Sequence, residues 1–241
     1  GPPAGNSCLA NLPAHLRAEF VMKVYTILAA QALLTTMIAN FLSHSLVQTW
    51  KLTHPYASPL APALSALGLL VGGACCKGQL RFFPLNLIFL SLLMLFVAVA
   101  AGLCEPWAMV AVGSTAANYT ALVLFVFITR TDFAGIGPQA FAGCFGLMVV
   151  GCVILCSNLD ILQCLAGGLA ATFCTIRAVV HTQRILAETE RPLIGEKDVV
   201  YAAVTLHLKV AFEYDCGRPK ESLQPAWHAG HHGVIPEHHL G

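Results

Sequence analysis

Charge is what this chain has least of. Asp, Glu, Lys and Arg make up 10% of its 241 residues, where a soluble domain carries about 25%. Thirteen Lys and Arg nearly cancel twelve Asp and Glu, for a net charge of +1. So balanced a chain makes no basic field for nucleic acid. The motifs of common catalytic sites are missing as well: there is no Gly-x-Ser-x-Gly, no His-Glu-x-x-His and no glycine-rich phosphate loop. No enzyme is expected, and no cofactor. The ten cysteines include no Cys-x-x-Cys pair, which removes the case for a zinc ribbon. No secretory leader precedes the first apolar run, because Leu12 to Tyr25 is amphipathic and charged. That first run is expected to serve as its own insertion signal. The chain opens Gly1-Pro2 without Met, as a processed end or a cleaved tag does.

What is present is apolar surface. Hydrophobic residues are 57% of the chain and mean hydropathy is +0.72. The composition is that of an integral membrane protein. A spanning helix needs about 20 mostly apolar residues. Six runs qualify: Val24–Ser43, Leu60–Cys76, Leu85–Leu103, Trp107–Thr129, Ala140–Cys156 and Ile161–Val180. A seventh, Val199–Phe212, is shorter and holds His207 and Lys209. It is too polar to face lipid, so it either lies at the centre of the bundle or re-enters under cover of protein. The chain thus divides into an N-terminal segment (1–23), a seven-segment membrane domain (24–212) and a polar tail (213–241).

Lys and Arg alternate between loops. Arg17, Lys23, Lys77, Arg81, Arg130, Arg184, Arg191 and Lys197 fall on one side. The other side holds Lys51, Glu105 and Asp160. By the positive-inside rule the N-terminus is cytosolic. Cysteines inside the runs read as small packing residues, and Cys75 and Cys76 beside Lys77 fit a palmitoylation site weakly. Small-x-x-x-small spacings occur at Gly68/Gly72, Gly113/Ala117 and Gly167/Ala171. Ordinary close packing of helices is the favoured reading, with a homo-oligomer interface as the sharper one. Asn118-Tyr-Thr matches a glycosylation sequon but lies in mid-helix, where it is a chance match. The tail is rich in Pro, Gly and His; His228, His231, His232, His238 and His239 suit a solvated, disordered segment better than a metal site.

Ionisable residues inside a membrane are functional candidates. Arg177, His181 and Arg184 recur at helical spacing beside Gln183, while His207 and Lys209 interrupt the seventh run. Snorkelling of Arg177, and pairing of Lys209 with Asp198, Glu213 or Asp215, are the structural readings.

Four stretches resemble the Bax-inhibitor (lifeguard) family. They are EFVMKVYTILAAQALLTT (19–36), ACCKGQLRFFPLNLIFL (74–90), FITRTDFAGIG (127–137) and HTQRIL (181–186), in order and at the family's spacing over residues 17–212. The resemblance implies an all-α polytopic membrane protein: a seven-helix bundle with the polar seventh helix at its centre. It also implies regulation of cell death and calcium homeostasis in endoplasmic reticulum, Golgi or other endomembranes. The family carries two intramembrane aspartates that pair to gate a pH-sensitive calcium leak. In this chain those two positions are His181 and Lys209. Calcium requires hard anionic oxygens, and a cation at the gate repels it. Loss of the acidic pair and the early polar tail are similar to the Bax-inhibitor-like proteins of cytomegaloviruses, which modulate the host cell. The chain is therefore expected to work through membrane or cytosolic protein partners. A pH-sensitive ion channel or viroporin is the alternative.

Overall fold

The structure, a computed structural model, describes residues 13–43, 49, 60–76, 78–104, 106–129, 133, 135–187 and 198–212. Lys51, Lys77, Glu105, Arg130, Asp132, Arg191, Lys197, Glu213, Asp215 and the histidine-rich tail lie outside them.

Every regular element among the described residues is helical. In chain order these are α1 (Ala14–Leu42), α2 (Leu60–Cys75), α3 (Leu85–Leu103), α4 (Pro106–Thr129), α5 (Gly137–Cys156), α6 (Ile161–Leu186) and α7 (Val199–Ala211), with one 3-10 turn (Gln79–Arg81) between α2 and α3. Proline marks several starts. Pro84 precedes α3, Pro106 opens α4 and Pro138 sits in the first turn of α5, positions where its missing N–H costs no helical bond. Five helices are long and apolar enough to span a bilayer; α2 and α7 are shorter apolar helices.

Two boundaries run past the apolar spans. The span read at Val24 belongs to a helix that starts at Ala14. Its first turns bury Ala18, Phe20 and Val21 and turn Glu19 and Lys23 outward, 2.7 Å apart. That bond holds the Glu19 carboxyl below the usual carboxylate range. Likewise α6 continues beyond Val180 to Leu186, burying His181, Thr182, Ile185 and Leu186. Hydropathy marks the length a helix spends in hydrocarbon, and the helix itself is longer.

Helices α1, α3, α4 and α6 form the body. α1 packs on α3 and α4, α4 on α6, and α5 sits outside against α4 and α6. The seventh helix is the most enclosed element: Tyr201 through Leu206 are all buried, against α1, α2, α3 and α6. The polar seventh segment therefore lies inside the bundle, as its composition requires. The outer faces are apolar, with Phe41, Leu147, Leu155, Leu162 and Phe173 exposed. So much exposed apolar surface is stable only against lipid. Hydroxyls within the helices are satisfied locally: Thr26, Thr36, Ser91, Thr115 and Thr129 each donate to the carbonyl four residues back.

Glycines let the helices touch. A Cβ on Gly167 would collide with the Trp107 carbonyl oxygen, and one on Gly102 would lie 2.8 Å from the Ala39 carbonyl. Gly68 and Gly72 meet nothing within 4 Å among the described residues.

Candidate functional site

The antiparallel order brings one end of every helix to the side that holds Arg17, Lys23, Arg81 and Arg184. At this basic end, side chains bond across the bundle. Tyr25 of α1, fully buried, lies 3.1 Å from the Thr182 hydroxyl of α6. Thr182 already donates its proton to the Ala178 carbonyl at 2.8 Å, so the tyrosine hydroxyl is the donor. The same ring packs on Phe133 (centroids 5.7 Å) and edge-on to Tyr119 (6.0 Å).

One residue further along α6, Gln183 spends its whole amide. Its Nε2 donates to the carbonyls of Phe133 (3.0 Å) and Gly135 (2.7 Å). Its Oε1 accepts from Gln139 Nε2 at 2.6 Å. A single side chain thus fastens the segment after α4 and the first turn of α5 to the end of α6. On the other side of the bundle Arg81 pairs with Asp198, the residue preceding α7, at 2.9 Å. That carboxylate, one of the partners open to Lys209 in the sequence, is engaged by Arg81.

The basic residues of the sequence reading divide by depth. His181 is 7% exposed. Arg177, one turn before it, is half-buried; its guanidinium lies 3.5 Å from the Lys209 carbonyl oxygen of α7 and 5.8 Å over the Phe173 ring. This contact joins the two helices that carry His181 and Lys209. Lys209 and His207 are half-buried and Arg184 is exposed at the end of α6. His207 turns back on its own helix, with Nδ1 3.1 Å from the Ala203 carbonyl. A carbonyl only accepts, so Nδ1 carries the proton.

A second buried polar layer lies deeper. Asn118 of α4 is 2% exposed and donates to Thr175 of α6 at 3.3 Å. The sequon asparagine is an interior side chain of the bundle.

Residues 17–212 match the family described as Inhibitor of apoptosis-promoting Bax1. The chain belongs to the Bax-inhibitor family. These are membrane regulators of cell death. Protein lifeguard 4 of Mus musculus is 27% identical over 211 residues, covering 85% of this chain and 84% of that protein. Protein lifeguard 3 of Homo sapiens is 25% identical over 215 residues, covering 82% of this chain and 66% of its own length. No solved structure matches the chain.

Three of the four Bax-inhibitor stretches meet at these side chains. The first contributes Tyr25, the third Phe133 and Gly135, and the fourth Thr182 and Gln183; the second supplies Arg81 to the start of α7. Gln183 was named from the sequence as one of a polar network, and it holds a precise fork of carbonyls. Tyr25, Gln139 and Thr175 were not singled out. Their signal, a polar or aromatic side chain in an apolar helix, is common, and only the partner across the bundle gives it meaning.

Proposed function

We propose that this Bax-inhibitor protein regulates cell death from an internal membrane through contacts with other proteins, its basic end in the cytosol, and that it does not conduct calcium. The observation that supports this is where the carboxylates are. Among the described residues they are Glu19, Asp160 and Asp198, and all three lie at or near helix ends. Glu19 pairs with Lys23 and Asp198 with Arg81; Asp160 precedes α6 at the opposite end. Where α6 meets α7, the Arg177 guanidinium lies 3.5 Å from the Lys209 carbonyl oxygen, and the two helices carry His181 and Lys209 in place of acids. A calcium path needs several oxygen ligands, carboxylates foremost, whereas ammonium and guanidinium groups supply donors only and repel a dication in low dielectric. The scaffold is retained while the charge at its gate is reversed.

Calcium flux into dye-loaded proteoliposomes at about pH 6 and pH 8 tests this, with the wild type beside the His181→Asp/Lys209→Asp double variant. The wild type is expected to stay at the level of empty vesicles. The double variant is expected to leak in a pH-dependent way, because two close carboxylates cannot both ionise. A wild type that leaks above empty vesicles overturns the reading, and a change of that leak on His181→Ala assigns the conduction to this site.

A further inference from the structure

Among α1, α2, α3, α4, α6 and α7 lies a cavity of about 350 Å³. Membrane-protein interiors, like soluble ones, are close-packed, with few voids larger than a water, so a space of this size calls for an occupant. Its volume falls in the range of sites for small organic molecules, roughly 300 to 1,000 Å³. The walls are mostly aliphatic, with Leu28, Leu90, Leu93 and Leu206 among them; the hydroxyls of Thr35, Thr115 and Tyr119 belong to lining residues as well, and two nitrogen-bearing side chains, Gln31 of α1 and His207 of α7, interrupt the walls.

These two present acceptors. Gln31 Oε1 is buried and meets no hydrogen-bond donor. His207 donates through Nδ1 to the Ala203 carbonyl, which leaves Nε2 of the neutral ring as a lone-pair acceptor. The threonine hydroxyls on the same wall do not fill the need. Thr35 donates to the Gln31 backbone carbonyl and Thr115 to that of Ala111, each at 2.8 Å. Both acceptors sit at similar depth. Gln31 is about 10 Å past Val24, where the apolar stretch of α1 begins, and His207 is about 12 Å past the start of α7. At that depth hydrocarbon offers nothing to a hydroxyl, so an alcohol that leaves the headgroup layer must find a protein acceptor. A buried acceptor without a donor carries a matching penalty. One molecule with an apolar body and a single hydroxyl removes both.

We propose that this cavity binds a hydroxyl-bearing membrane lipid, its apolar body against the leucines and its hydroxyl donating its one proton to Gln31 Oε1. The site is independent of whether the protein conducts calcium. Sterols and diacylglycerols share this chemistry, and the test separates them.

The full chain, reconstituted in phosphatidylcholine vesicles, would be exposed to a diazirine-bearing cholesterol analogue and, separately, to a diazirine-bearing diacylglycerol analogue. Each would be run beside its O-methyl ether, which keeps the body and loses the donor. Labelled peptides would be located by mass spectrometry. Labelling is expected on α1, α4 and α7 by one alcohol, whose identity names the source, and the ether is expected to label about five- to ten-fold less, the worth of one buried hydrogen bond. Gln31→Leu, which keeps the size and removes the acceptor, should lower labelling by the alcohol to the level of the ether. Leu93→Trp, which fills the cavity, should abolish it for both. Monodispersity on size exclusion checks that each variant folds. Equal labelling by alcohol and ether, labelling unchanged by Gln31→Leu in a folded protein, or no labelling of these helices by either alcohol overturns the proposal.

Discussion

The two ends of the bundle are held by different physics. At the basic end the helices are tied by polar side chains: Tyr25 to Thr182, Gln183 to two carbonyls and Gln139, Arg81 to Asp198. At the opposite end they are held by contact. Ala39, Ala101 and Ala108 form a small cluster of their own; Gly102 lies against Ala39, Gly167 against Trp107, and Gly168 against Val150. Lipid tails are as apolar as leucine, so helices in a bilayer gain little by merely hiding apolar surface. Close backbone approach and interhelical hydrogen bonds are the two remaining sources of attraction. This protein leans on a different one at each end, although Ser157 Oγ and Cys164 Sγ lie 3.3 Å apart at the packed end and Gly73 fits closely against Phe89 at the basic end. Packing by small residues fixes distance alone, whereas hydrogen bonds fix rotation and register as well. The end with specified register is also the end that carries the family's motifs.

The largest effect is expected at the packed end. Gly167→Leu would drive a side chain into the backbone of α4, which cannot move aside as a side chain can. Overpacking of this kind costs about 3 kcal/mol or more. The expected outcome is loss of the monodisperse peak on size exclusion in detergent; a folded variant with unchanged melting would show that the two helices are not held at this distance. Next comes Gln183→Leu. It strips donors from the Phe133 and Gly135 carbonyls and the acceptor from Gln139, for a loss of about 2 to 3 kcal/mol. A clear fall in melting temperature should follow, with hydrogen exchange rising first at residues 135–139. Uniformly faster exchange along the chain would contradict a local fastening. The smallest effect belongs to Tyr25→Phe, which keeps both ring contacts and gives up one hydrogen bond, worth about 1 kcal/mol. If it destabilises as much as Gln183→Leu, the hydroxyl has a further partner that the geometry does not account for.

The seven α-helices among the described residues were legible in the sequence: five because a run of about 20 apolar residues has few other meanings, and α2 and α7 as shorter apolar stretches. Helix ends were less so. Residues 14–23 and 181–186 alternate polar and apolar side chains, and hydropathy passes over helix that stands outside hydrocarbon. The site was legible in part. A histidine and two basic residues in apolar helices draw notice by type, and Arg177 does meet the seventh helix. Gln183 drew notice too, but its task depends on carbonyls 48 and 50 residues away, which no local pattern encodes. Gln31 lies inside LAAQALL. A lone amide in an apolar helix is a visible signal, and what makes it informative, the cavity in front of it, exists only once six helices are assembled. Asn118 shows the converse: a motif in the letters whose residue is inaccessible in the fold.

The locally bonded hydroxyls have a consequence for how the protein is made. A threonine such as Thr26 or Thr115 that donates to its own helix is satisfied before any neighbour arrives, so its helix can pass from the insertion machinery into lipid alone. Gln183 has no such provision. Until residues 133, 135 and 139 are beside it, its amide has only water at the membrane surface to meet it. Because α4 and α5 are synthesised before α6, those partners are already waiting when the glutamine emerges. The order of the chain delivers this glutamine into a receptor that is ready for it.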